Sequence, residues 1–159
     1  MTKIQDILTP HHVLIDCRIN SKRRTLELLS KLIAEQFDNL DAQDVFAAFV
    51  AREKLGSTVI TQGVAVPHAR LPQATKTVGA FLRLHDPIPY DDHDDHQVDM
   101  IFALIMPKQS NQQEHNSILS CLAGCFCYEE RIKKLRAAKL PQDAFDALTY
   151  CCPSGIDVQ

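Results

Sequence analysis

The stretch Val98-Asp99-Met100-Ile101-Phe102-Ala103-Leu104-Ile105-Met106 constrains the fold more than any other part of the chain. It is far short of the roughly 18 uninterrupted apolar residues that a membrane-spanning helix needs. A nearly continuous apolar run of this length is expected of a strand covered on both faces, as in a sheet with helices packed on either side.

The surroundings of that strand supply the helices. Ile4 to Leu8 forms a short apolar turn and Val13-Leu14-Ile15 a brief strand. Ser21 can cap a helix in which Leu26, Leu29, Ile33 and Phe37 recur at three- and four-residue steps, the spacing of one helical face. A second helix starts at Asp41, buries Val45, Phe46, Phe49 and Val50, and ends at Gly56, read as a left-handed terminator. Short strands follow at Thr58-Val59-Ile60 and Val64-Ala65-Val66, with a turn at Gly63 and a stop at Pro67. Thr77 to Leu84 is a longer strand. Ser110 or Asn111 opens a third helix with Ile118, Leu119, Leu122 and Phe126 inward, and shorter helices cover Glu129 to Lys139 and Pro141 to Thr149. The expected class is α/β, with a central mixed β-sheet flanked by helices on both faces. Residues 1–159 form a single domain in this reading, with 153–159 a flexible tail; no repeat, low-complexity segment or linker divides them.

A formal charge of -3 argues against a polyanion-binding face, so nucleic acid is not an expected partner. Met1 to Cys17 carries neither a basic leader nor an apolar secretion core, and the chain is expected to be cytoplasmic, without membrane insertion. The six cysteines repeat no disulfide framework and are expected to be reduced. Cys121, Cys125 and Cys127 fall in an apolar helical stretch, where cysteine acts as a small hydrophobe; redox chemistry at Cys151 and Cys152 stays open. The run Asp91 to His96 carries metal-ligand types, but clustered acids between two strands more often form a solvated connection, and no metal is expected. His11, His12 and His85 join no constellation.

Chemistry concentrates in Arg52-Glu53-Lys54-Leu55-Gly56-Ser57-Thr58 and Gly63-Val64-Ala65-Val66-Pro67-His68-Ala69-Arg70. Arg52 offers a planar fork of donors for phosphoryl oxygens. Ser57 and Thr58 add hydroxyls as phosphate-binding candidates. Pro67 fixes its own φ and so restricts the direction in which the chain delivers His68. With an ordinary pKa of about 6.5, an imidazole at neutral pH keeps a lone pair with which to attack phosphorus. On spacing alone, a Pro-His at a strand end is more often a plain turn.

The two stretches resemble the R-E-x-x-G-S-T…G-x-A-x-P-H pattern of enzyme IIA domains of the bacterial phosphotransferase system, mannitol/fructose type, and above all its nitrogen-regulatory branch. The similarity continues through Pro87 to Tyr90, Val98-Asp99 and the apolar strand to Pro107, and Leu135-Arg136-Ala137-Ala138. It implies the mannitol-type IIA fold, no bound cofactor, and His68 as acceptor of a phosphoryl group from a histidine-containing phosphocarrier protein. Arg52 then stabilises phosphate charge, and His115, 47 residues on, orients His68 or stabilises phosphoryl oxygens. His115 lies in the first turn of the third helix, on the stripe of Ile118, Leu119 and Leu122. Ala69-Arg70 depart from the family's usual Gly and small or basic residue, an expected change in access. The resemblance further implies a phosphotransferase component that regulates target proteins, transporters or sensor kinases, by its phosphorylation state. The alternatives are a sugar-specific IIA passing phosphate to a IIB component, and a non-catalytic binding module on the same fold.

Overall fold

A computed structural model describes residues 3–91 and 97–151, the last two of these by backbone alone. Among the described residues there are six helices, α1 (Ile4–Ile7), α2 (Lys22–Ala34), α3 (Ala42–Leu55), α4 (Gln112–Cys125), α5 (Glu129–Ala137) and α6 (Pro141–Cys151), with a 3₁₀ turn at Pro10–His12. Six strands, β1 (Val13–Cys17), β2 (Val59–Thr61), β3 (Gly63–Ala65), β4 (His68–Leu71), β5 (Val78–Pro89) and β6 (Gln97–Pro107), form one sheet in the order β1-β5-β6-β3-β2, with β4 also paired to β6. The sheet is mixed: β1 runs parallel to β5, β5 antiparallel to β6, and β3 and β4 parallel to β6.

The apolar run lies at the centre as β6, and its side chains divide by the two-residue period of a strand. Met100, Phe102 and Leu104 enter one core with Phe81, Ile118, Leu122, Leu135 and Leu148. Ile101, Ala103 and Ile105 enter the other with Leu29, Ile33, Val45 and Phe49. The first core is roofed by α1, α4, α5 and α6, the second by α2 and α3, which gives the expected helix–sheet–helix sandwich.

The caps follow the sequence. Ser21 Oγ accepts from the Arg24 amide at 3.2 Å, Asp41 Oδ1 from Gln43 at 2.9 Å, and Asn111 Oδ1 from Glu114 at 2.8 Å. α5 is tied to the sheet by two arginines: Arg83 Nη1 donates to the carbonyls of Leu135 and Ala138 at 2.7 Å each, and Arg136 grips Asp99 through two bonds of 2.9 and 3.0 Å. These contacts give structural sense to Asp99 and to the Leu135 to Ala138 segment.

Three expectations change. His68 opens strand β4, a short strand that Pro67 hides from a reading of sequence, because proline signals a stop. Gly56 caps α3 at φ 154°, ψ 164°, outside the left-handed helical region. Cys121 is disulfide-bonded instead of reduced. Cys121 is half-buried on α4, beside Lys3 and Ile4, whereas Cys125 is only 1% exposed in the core. Cys17 and Cys127 are free thiols. The side chains of Cys151 and Cys152, residues 92–96 of the acidic run and the expected tail at 153–159 lie outside the described residues.

Candidate functional site

At one end of the sheet the start of β4, the end of α3 and the first turns of α4 converge on an open cleft of about 530 Å³. It is lined by Arg52, Ser57, Thr58, His68, Asn116 and Ser120, with an apolar wall that includes Ile60 and Leu119.

His68 is delivered by a change of pairing along one chain. β3 pairs with β6 at Gly63↔Val98 through Ala65↔Ile101, and β4 resumes beside the same strand at His68↔Leu104. Between them the Val66 amide donates to the Thr58 carbonyl at 2.9 Å, and the Pro67 carbonyl accepts from Leu104 at 2.9 Å. The Val66 carbonyl takes His68 Nδ1 at 2.7 Å. A carbonyl can only accept, so Nδ1 bears the proton and Nε2 keeps the lone pair. Burial lowers the His68 pKa and the Arg52 charge lowers it further, against opposing contributions from the Val66 carbonyl and Glu53. The ring is therefore neutral near pH 7, with one aprotic nitrogen.

Arg52 comes from the last turn of α3, where its Nη1 donates to the Gly56 carbonyl at 2.9 Å. Gly56 makes this possible, since its φ and ψ fall in a region open essentially to glycine alone. Next to Arg52, Glu53 points inward, meeting Lys22 Nζ at 2.9 Å and accepting from the Thr58 hydroxyl. Thr58 is buried and its hydroxyl is thus committed to a carboxylate. Ser57 is exposed; its hydroxyl donates to Asp91 at 2.8 Å and accepts from the Val59 amide at 3.1 Å.

His115 is half-buried beside His68, on the first turn of a 14-residue helix whose N-terminus favours anions. Its ring centroid lies 5.7 Å from that of His68, with the planes at 75°. Burial, followed by the charge of Arg70, lowers its pKa. Two residues separated by 47 positions thus meet through the fold, as expected.

Sequence reasoning missed the role of Arg70. It was expected to alter access, yet its guanidinium reaches His115 Nδ1 from Nε at 3.3 Å and from Nη2 at 3.1 Å. The only available signal was strand periodicity: once His68 is placed on a strand, residue 70 shares its face. His12 and His85 lie in separate pairs, His12 with Thr9 and Glu35 and His85 with Asp16.

Among the described residues, no group of three or more His, Cys, Asp or Glu is arranged to hold a metal ion, and no helix is long and apolar enough to cross a membrane. The arrangement suits an anionic, tetrahedral group: one lone pair, a guanidinium, a second imidazole, a hydroxyl and a helix N-terminus around a solvent-open cleft.

Residues 6–151 match the family described as phosphoenolpyruvate-dependent sugar phosphotransferase system, EIIA 2. A nitrogen regulatory protein of Pseudomonas aeruginosa is 36% identical over 138 residues, covering 87% of this chain and 89% of that protein. One from Escherichia coli (strain K12) is 38% identical over 130 residues, 81% of this chain and 78% of the relative. The crystal structure of nitrogen regulatory protein IIA-Ntr from Neisseria meningitidis superposes with a TM-score of 0.85 at 36% identity, over 92% of this chain and 99% of that one. The fold is also that of IIA mannitol from Escherichia coli, at TM-score 0.72 and 16% identity over 87% and 96% of the two chains. With its fold, its two facing histidines and a match across nearly its whole length, the chain belongs to the EIIA 2 family of the phosphoenolpyruvate-dependent sugar phosphotransferase system.

Proposed function

We propose that the protein is a cytoplasmic phosphoryl carrier of a nitrogen-type phosphotransferase relay, taking a phosphoryl group on His68 Nε2 and regulating partner proteins by its phosphorylation state. The observation that carries this reading is the Val66 carbonyl on His68 Nδ1, which leaves the lone pair on Nε2 of a residue that lines the cleft.

The donor is a phosphohistidine on a carrier protein. The His68 Nε2 lone pair forms a bond to phosphorus while the bond to the donor nitrogen breaks, its electron pair returning to the donor imidazole. His68 Nδ1 keeps its proton, and the Val66 carbonyl offsets the positive charge that builds on the ring. Charge on the three phosphoryl oxygens is met by Arg52, by His115 and by Ser57 once it gives up Asp91. Thr58 serves the same group at one remove, by holding Glu53 beside Arg52. Positioning and fixed donors suffice for this transfer, and no cofactor is required.

The regulatory reading is favoured over sugar uptake because the relatives at 36–38% identity are nitrogen regulatory proteins, whereas the fructose-specific EIIA component of Haloferax volcanii is 27% identical. Leu55 at 84% and Ile60 at 41% are exposed apolar side chains, the second of them lining the cleft, and suit contact with another protein.

Incubation with a phosphorylated histidine-containing carrier protein is expected to place one acid-labile phosphoryl group on the wild-type chain and none on His68→Ala. Equal labelling of the two chains would move the acceptor elsewhere. Efficient onward transfer to a IIB protein would favour the sugar-pathway alternative.

A further inference from the structure

We propose that Arg70 is a positioning residue that fixes His115 with its proton on Nε2, so that the second histidine of the site offers an N–H donor where His68 offers a lone pair. This rests on the phosphoryl-carrier reading for its purpose, though not for its geometry.

A guanidinium has five N–H donors and no acceptor. Arg70 directs two of them, from Nε at 3.3 Å and Nη2 at 3.1 Å, at His115 Nδ1. That nitrogen must then carry the lone pair, and the proton of the neutral ring goes to Nε2. The aim is held from both ends. On the strand side, Arg70 lies two residues after His68 in β4, on the same face, with Arg70 paired to Met106 and His68 to Leu104. On the helix side, Arg70 Nη2 also donates to Gln112 Oε1 at 3.2 Å, and Gln112 Nε2 donates to Asn116 Oδ1 at 3.0 Å, a residue that lines the cleft.

The two imidazoles are thus set in opposite states by different partners: a carbonyl on His68 Nδ1 and a guanidinium on His115 Nδ1. The reverse tautomer of His115 would direct a second lone pair toward an incoming anion. The Arg70 charge also disfavours a proton on His115, in the same direction as burial and the charge of Arg52. The ring stays neutral while still donating.

The test reads the ring nitrogens of His115 by 15N NMR at about pH 8, above the ordinary titration of histidine. The wild-type chain and Arg70→Lys, whose ammonium can only donate, are expected to show a protonated Nε2 and a bare Nδ1. Arg70→Glu, whose carboxylate can only accept, is expected to move the proton to Nδ1. In parallel, Arg70→Met is expected to slow phosphoryl transfer about 10–100-fold, the scale known for losing a partner that orients a metal-bound histidine, with Arg70→Lys restoring most of the rate. A wild-type proton on Nδ1, an unchanged tautomer in Arg70→Glu, or a wild-type rate in Arg70→Met overturns the proposal. A wild-type chain that accepts no phosphoryl group from any carrier overturns the carrier reading alone, because the nitrogen assignments do not depend on it.

Discussion

Gly56→Ala is expected to perturb the site without touching any group proposed to meet phosphate. A Cβ built on Gly56 has no heavy atom within 4 Å, so the substitution carries no steric cost from neighbours. The entire penalty is in the backbone: φ 154° with ψ 164° is a conformation that L-residues avoid, and holding alanine there costs on the order of 1–3 kcal/mol. The chain has two responses. If it keeps the conformation, stability falls by that amount, a drop of about 2–4 °C in Tm per kcal/mol for a domain of this size. If it relaxes, the Gly56 carbonyl turns, Arg52 loses its 2.9 Å bond, and the guanidinium is no longer aimed into the cleft. Urea denaturation measures the first response and single-turnover transfer from a phosphorylated carrier the second. A variant with both the wild-type unfolding midpoint and the wild-type transfer rate refutes the reasoning about how α3 ends.

Arg52→Ala should slow transfer by about 2–4 kcal/mol in barrier, the scale of a lost oxyanion donor, in single-turnover kinetics. The His68 and His115 pKa values are both lowered, so phosphoryl acceptance should be flat near neutrality and decline only below about pH 6.5, as the attacking nitrogen becomes protonated. For the same two groups the unfolded chain binds protons more readily than the folded one. Stability measured by denaturation should therefore fall as pH drops from about 6.5 through the lowered values, and not rise. Phe102→Ala empties the middle of the first core and should cost about 3–5 kcal/mol in urea unfolding, since Phe102 is fully buried between Phe81 and the sheet's Gly79.

The layers of the fold were legible because each carried a strong local signal. The unbroken apolar run of β6 implied cover on both faces, and Ser21, Asp41 and Asn111 marked helix starts that the structure places at the same residues. β4 was not legible. Its four residues include one charged side chain and one imidazole, follow a proline, and are all half-buried, so no alternation announces a strand. The pairing with β6 that makes it one is a long-range property. His68 and Arg52 could be nominated by type and motif, and His115 by resemblance, but Thr58 and Arg70 could not be given their contacts. The Thr58 hydroxyl is turned into the interior by the Glu53–Lys22 pair, and Arg70 is turned toward His115 by strand register.

The bond that fixes which nitrogen of His68 keeps its lone pair, the proposed acceptor, is made by the Val66 peptide, and any amino acid at that position supplies the same carbonyl. Point substitution at residue 66 can alter packing, since Val66 is 2% exposed, but it cannot delete the acceptor. The orientation of the proposed nucleophile is thereby insulated from mutation and travels with the pairing of β3 and β4 along β6. The opposing histidine has no such insurance: its partner is a side chain, replaceable in a single step. Across descendants of such a domain, the accepting nitrogen is expected to stay constant while the character of its neighbour drifts, which leaves transfer rate free to be tuned without loss of the chemistry.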